Sequence, residues 1–259
     1  MVLPQVSIIG TGNLAFVLSK NLEQCGIRVR ELAGRSKDRV ERIASQLYSV
    51  ETILDFDFSQ SQSKVFFLCV SDSAISEVAY RLKLPQGALL VHCSGATSLD
   101  AIEKGGADFG VFYPVQTFST SRKLSLNGVP ICIEANEESK EELLEAIAKK
   151  IGATPCFMTS EQRLVLHLSA VFACNFSNHL FMMAKRLLDE EGLPFDLLKE
   201  LIRETVKKSL EIGPENAQTG PAIRKDYATM DKHIKLLEDH PNWKEVYTTF
   251  SERIMKGKV

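Results

Sequence analysis

The sequence predicts an α/β fold, a doubly wound and mostly parallel sheet, followed by an all-α region. Three observations carry this. Val6-Ser7-Ile8-Ile9 runs directly into Gly10-Thr11-Gly12-Asn13-Leu14-Ala15, which reads as strand, glycine turn and helix start. Apolar strand-like runs then alternate with helical patterns as far as Met158. From Ser160 onward the strand signals stop and everything reads helical. These observations divide the chain into residues 1–159 and residues 160–259.

Composition narrows the function classes. The 259 residues suffice for two domains, and 44% hydrophobic with 25% charged residues excludes a disordered chain. A net charge of −2 with scattered Lys and Arg leaves no footprint for nucleic acid. No unbroken apolar run approaches the ~20 residues a bilayer span needs, and Met1-Val2-Leu3-Pro4 is no signal peptide. The six cysteines include no Cys-x-x-Cys pair, and most lie inside apolar runs. A reduced, cytoplasmic protein with no membrane contact and no metal site is therefore expected.

In the first half, each strand end is a candidate ligand site, because open parallel sheets bind ligands beyond the carboxyl ends of their strands. Gly10 permits the tight turn, and Gly12 leaves room for a pyrophosphate. Asn13 and Leu14 begin a helix whose positive end favours phosphate. The second strand, near Ile27–Ala33, ends in Gly34-Arg35-Ser36, about 20 residues on, where an acidic residue would hold the ribose hydroxyls of NAD. Arg35 and Ser36 can instead hydrogen-bond a 2′-phosphate, with Lys37 and Arg39 adding charge. NADP is the expected cofactor. Glu31, the acidic residue that could oppose this, lies within the strand.

The continuous apolar run Lys64–Val70 suits a central strand, which places Val70 and Ser71 along the cofactor. Ala88–Cys93 ends in Ser94-Gly95, a hydroxyl and an N–H for substrate, or a plain turn. Strands are also expected at Gly110–Tyr113, Pro130–Ile133 and Pro155–Met158. Tyr113–Thr117 forms a loop at the same rim, and a helix covers Glu137–Ile151.

Ser160–Glu191 contains neither Pro nor Gly and reads as one long helix. At 100° per residue, Asn178 falls about 20° and Asn175 about 80° from His167, so the three share a broad polar face. They are candidate ligand contacts or a satisfied helix-packing set. A later stripe of Asp226, Thr229 and His233 follows Arg224, which can clamp a carboxylate or join interhelical salt bridges.

The motifs Gly10–Ala15, Gly34-Arg35-Ser36, His92-Cys93-Ser94-Gly95, Tyr113–Phe118 and Thr219-Gly220-Pro221 with Arg224, Asp226 and His233 resemble a family of bacterial NADP-dependent oxidoreductases. That family has a Rossmann-like first domain and an uncharacterised helical second domain. More distantly, the layout is similar to pyrroline-5-carboxylate reductase, ketopantoate reductase and the β-hydroxyacid dehydrogenases. The helical half is similar to the C-terminal domain of 6-phosphogluconate dehydrogenase. The resemblance implies hydride transfer between the nicotinamide and a small C=O or C=N substrate held between the domains. It also implies a homodimer built on the helical domain.

Three departures stand out. Tyr113 replaces a more usual His, Lys225 replaces a Gly, and the catalytic lysine of the β-hydroxyacid dehydrogenases has no counterpart before Lys185. His167 is the substitute proton donor. The expected catalytic set is His167, Asn175 and Ser94, with Gly95, Asn178, Arg224 and His233 for substrate. The alternative is a non-catalytic NADP-binding sensor on the same fold. A deazaflavin or flavin partner has no motif of its own here.

Overall fold

The computed structural model describes residues 3–103, 107–119 and 125–257. The chain divides into two compact units, Met1–Ala173 and Cys174–Val259. In the first, strands β1 (Val6–Ile9), β2 (Val29–Ala33), β3 (Glu51–Ile53) and β4 (Val65–Leu68) are joined by β5 (Leu89–His92), β6 (Asp108–Pro114), β7 (Pro130–Ala135) and β8 (Thr154–Phe157). They form one sheet in the order β3-β2-β1-β4-β5-β6-β7-β8. Every neighbouring pair is parallel except β6 and β7, which run antiparallel. Helices α1 (Asn13–Gln24), α2 (Lys37–Ala44), α3 (Ile75–Arg81) and α4 (Glu138–Lys150) alternate with the strands. This is the doubly wound, Rossmann-like arrangement the sequence implies.

The apolar run in β4 is explained by burial on both faces. Val65 and Phe67 point into one apolar layer with Ile8 and Val91, while Phe66 and Leu68 enter the other with Ile9 and Leu90. Strand order reverses between β1 and β4. The loops leaving those two strands therefore diverge, and a crevice opens at their carboxyl ends.

The first unit continues into α5 (Ser160–Ala170), whose start is fixed by a capping box between Thr159 and Gln162. Packing thus carries the first unit beyond residue 159, where composition changes, because α5 is bonded to the sheet. The helix runs on through a π-helical stretch, Val171–Phe176, into α6 (Ser177–Glu190). The second unit also holds α7 (Lys199–Ile212), short α8 (Pro214–Ala217), α9 (Tyr227–Leu236) and α10 (Pro241–Lys256), with no strand among the described residues.

Two expectations change here. A π turn holds more residues than an α turn, so the 100° step placing Asn175 and Asn178 on the face of His167 does not carry through 171–176. The helix Ser160–Glu190, with a mean hydropathy of 1.3 in its most apolar window, is long and apolar enough to cross a bilayer. His167, Ser169 and Asn175 interrupt it, so no unbroken apolar run marks it in the sequence.

Candidate functional site

The crevice beyond β1 and β4 is a cleft of about 490 Å³. Gly10 closes the turn at φ 129°, and a Cβ there would stand 2.1 Å from the Cys69 carbonyl oxygen, so only glycine fits. Beside Gly12 the space is open, with no atom within 4 Å of where a Cβ would sit. Gly12 gives α1 no side-chain cap, and the first turn holds no acid, so its N–H groups remain for an anion. The floor and the far wall bring in Val70 and Ser71 after β4, and Arg35, Ser36 and Arg39 after β2. These residues fit a dinucleotide with a 2′-phosphate.

Several details refine the sequence reading. Lys37 is not part of the cleft lining; its ammonium lies 3.7 Å from Glu41. Leu14 lines the cleft with Asn13. The Asn13 side chain donates to the Phe118 carbonyl at 3.0 Å, which leaves its backbone to face the cleft and ties the loop after β6 to the glycine turn. Glu31 is buried. It accepts from the hydroxyls of Ser7, Ser61 (2.8 Å) and Ser63 (3.0 Å) and pairs with Arg30 at 3.2 Å, so it is unavailable to a ribose.

Beyond the ends of β5 and β6, a second cluster assembles within the same unit. The Tyr113 hydroxyl lies 3.2 Å from His167 Nδ1, and the two rings meet edge to face. A Cβ on Gly95 would stand 2.7 Å from both His167 Nδ1 and Tyr113 Cζ, so this glycine is what lets the pair close over the loop. Burial, with smaller contributions from Cys132 and the Asp72 carboxylate, raises the Tyr113 phenol above its ordinary value and keeps it protonated. The hydroxyl and Nδ1 share one hydrogen bond, which fixes the orientation of the imidazole ring. Ser94 is buried, and its hydroxyl accepts from the N–H groups of Ala96 (3.1 Å) and Thr97 (3.0 Å), which shapes the loop around Gly95.

Sequence reasoning did not find what holds this corner together. Arg163, four residues before His167 on α5, is 1% exposed. Its guanidinium donates to Glu134 on β7 at 2.5 Å and to the Thr97 carbonyl at 2.5 Å. Glu134 in turn accepts from the backbone N–H and hydroxyl of Ser160, at 3.0 and 2.8 Å. One arginine thus locks α5 to the sheet and to the loop that carries Gly95. The sequence signal is slight, a single Arg inside an otherwise amphipathic helix.

The same burial bears on His92, whose Nδ1 accepts from the Ser94 N–H at 3.2 Å. Desolvation, reinforced by the positive charge of Arg163, holds its imidazole down to about 4, from an ordinary 6.5. The unfolded chain therefore takes up this proton first as pH falls. The stability contributed by neutral His92 is complete above pH 6.5 and is lost progressively down to about 4, an amount of ~3 kcal/mol. His92→Gln is expected to flatten the fall in unfolding free energy between pH 6.5 and 4.5, measured by urea titration. An unchanged slope would remove His92 as its source.

In the second unit, His233 is engaged by the Tyr247 hydroxyl at 2.9 Å. Asp226 and Thr229 are not a ligand stripe but the N-cap of α9, where the carboxylate accepts from the Thr229 N–H and hydroxyl at 3.1 and 2.8 Å. Asn175, Asn178 and Arg224 are exposed, and none makes a side-chain hydrogen bond among the described residues. No group of three or more metal-ligating side chains occurs among the described residues.

Residues 5–95 match the family described as NADP oxidoreductase coenzyme F420-dependent, and residues 129–254 match a domain of unknown function, DUF2520. A provisionally assigned NADP oxidoreductase of Bacteroides fragilis is 35% identical, covers 98% of both chains and superposes with a TM-score of 0.89. The fold recurs in a reductive aminase from Aspergillus terreus, in complex with NADPH and ethyl-5-oxohexanoate (11% identity, 98% and 94% coverage, TM-score 0.73). It recurs again in a pyrroline-5-carboxylate reductase from Coxiella burnetii (17%, 98% and 97%, TM-score 0.59). No curated protein matches the sequence. With the cleft at the strand ends and a relative 35% identical over 98% of both chains, the chain belongs to the NADP oxidoreductase family represented by the Bacteroides fragilis protein.

Proposed function

We propose that this NAD(P)-dependent reductase uses NADPH to reduce a small C=N or C=O substrate, with His167 as the proton donor. The observation that carries the reading is the Tyr113–His167 contact over Gly95, at the strand ends next to the cofactor cleft. When bound, the nicotinamide supplies hydride to the unsaturated carbon. The protein does the rest. The glycine turn and the first turn of α1 would hold the pyrophosphate, Arg35 and Ser36 the 2′-phosphate, and Val70 and Ser71 the middle of the cofactor.

His167, oriented by the Tyr113 hydroxyl, acts as an imidazolium: its Nε2 proton passes to the nitrogen or oxygen left electron-rich by reduction, and the neutral imidazole that remains is reprotonated from solvent. Ser94 shapes the loop, and Gly95 offers its N–H to the substrate. Asn175 and Asn178 are proposed to take part through their unengaged amides, and Arg224 through its exposed guanidinium. His233 is the weakest substrate candidate because Tyr247 already occupies its Nδ1. The similar folds of a reductive aminase and a pyrroline-5-carboxylate reductase support the C=N alternative by analogy.

We also propose a homodimer that works in the cytoplasm. Leu164, Val165, Leu168, Leu180, Leu201 and Leu210 are large apolar side chains exposed on the helical segments. A second copy would cover them. Light scattering should give the mass of two chains. A monomer that binds neutral lipid vesicles would favour the bilayer reading of the long helix instead.

The central test combines thermal shift with NADPH oxidation over a panel of cyclic imines and ketones. NADPH at a hundred times its Kd is expected to stabilise by about 2.7 kcal/mol, NADH far less, and Arg35→Ala should shrink the difference. NADPH binding without consumption on any panel member would favour the sensor reading.

A further inference from the structure

The adenosine end of the cleft has a second wall, which the sequence gives no reason to connect with the phosphate side chains. Arg81, the last residue of α3, lines the cleft with Arg35 and Arg39, although it belongs to the segment after β4 rather than to the one after β2. Its guanidinium lies 5.7 Å from the centre of the Phe56 ring, which is buried in the floor of the same cleft. It also stands 3.5 Å from Glu77, one turn earlier, a loose and exposed pair. Arg35 and Arg39 have no carboxylate in ion-pair reach among the described residues. Three guanidiniums and one carboxylate therefore line one cleft, and the side chain with an exposed acidic partner comes from a different segment than the two without one.

We propose that Arg81 is a specificity-determining residue that closes on the 2′-phosphate from the α3 side, exchanging Glu77 for the phosphate as it does so. The inference rests on the NADP assignment and extends it to a wall of the cleft outside the Gly34-Arg35-Ser36 segment. The physical grounds are direct. An exposed Arg–Glu pair at 3.5 Å contributes little, so giving it up costs little. A guanidinium–phosphate contact is charge-assisted, and Arg presents two parallel donors to it. The cation–π contact with Phe56 keeps the guanidinium at the cleft while it exchanges its acidic partner for the phosphate. Glu77 then acts as a counter-ion. It neutralises Arg81 while the cleft is empty and repels the phosphate once Arg81 turns away.

The test uses fragments that fill only the adenosine end, so no turnover is involved. Calorimetric titration compares adenosine 2′,5′-bisphosphate with AMP on the full-length protein. Wild type is expected to prefer the bisphosphate. Arg81→Ala should weaken the bisphosphate about tenfold and leave AMP unchanged, Arg81→Lys should recover part of the loss, and Glu77→Gln should tighten the bisphosphate a few-fold. The Arg81 effect should also shrink at high salt, since the site is exposed.

If Arg81→Ala weakens both fragments equally, the residue covers the adenine and the proposal is wrong. It is equally wrong if Arg81→Ala changes neither while Arg35→Ala removes the preference, and the NADP assignment then stands without it. If wild type itself does not discriminate, the 2′-phosphate reading fails and takes the proposal with it. Arg81 is exposed at the end of its helix, so its variants are expected to fold, and their melting temperatures check this.

Discussion

Arg163→Met is expected to destabilise the first unit by about 3 kcal/mol, because it breaks a buried ion pair and leaves its partners uncompensated. Removing the guanidinium leaves Glu134 with its charge only partly exposed and without its cation, and it strands the Thr97 carbonyl. Methionine keeps most of the volume, so the loss reports the ion pair and its hydrogen bonds rather than a cavity. At about 2–4 °C per kcal/mol for a domain of this size, the melting midpoint should drop by roughly 6–12 °C. Glu134→Gln in the same background should return part of it, because the remaining partner is then neutral. A drop of only a degree or two for the single variant would mean that solvent reaches the pair and that the brace is an ordinary surface contact.

The contrast between Arg163 and Arg35 shows where the sequence was legible. Arg35 sits at a distance from the glycine turn set by the length of one βαβ step, so its place in the cleft lining follows from chain geometry alone. The role of Gly10 follows as well, because the turn it closes is local and admits no Cβ. The alternation of strands and helices, and the doubly wound sheet it implies, were readable for the same reason.

Arg163 and Glu134 are 29 positions apart, and Tyr113 and His167 are 54 apart. Nothing in the periodicity of either segment announces these pairings, which arise only when α5 is laid beside β6 and β7. Lys37 stays outside the cleft lining while Arg39 enters it, because proximity in sequence to Arg35 does not say which way a helical side chain points. Asp226 with Thr229 could have been read correctly. An acid followed three residues later by a helical N–H is a cap signal, and it competes with a ligand stripe at the same spacing. The π-helical stretch left no signal at all, which is why the shared face of His167, Asn175 and Asn178 was argued on a regular helix.

His167→Ala is expected to lower kcat by 10²- to 10⁴-fold on any imine or ketone that wild type reduces, with the Kd for NADPH unchanged. The split follows from position. His167 meets Tyr113 and Gly95 but does not line the cleft that takes the cofactor. Tyr113→Phe removes the hydroxyl that orients the ring but leaves the imidazole in place, so its effect should be smaller and should fall on kcat rather than on KM. Gly95→Ala offers a third route to the same group. The added methyl needs the space occupied by His167 Nδ1 and Tyr113 Cζ at 2.7 Å, so the pair must part, and activity should fall although neither functional side chain has been altered. Single-turnover rates with NADPH prebound separate these effects from cofactor affinity. If His167→Ala retains full single-turnover activity while Tyr113→Phe does not, the phenol is the proton donor and the imidazole merely supports it. If both variants retain activity, the proton comes from solvent, and the contact over Gly95 is a packing feature of the loop.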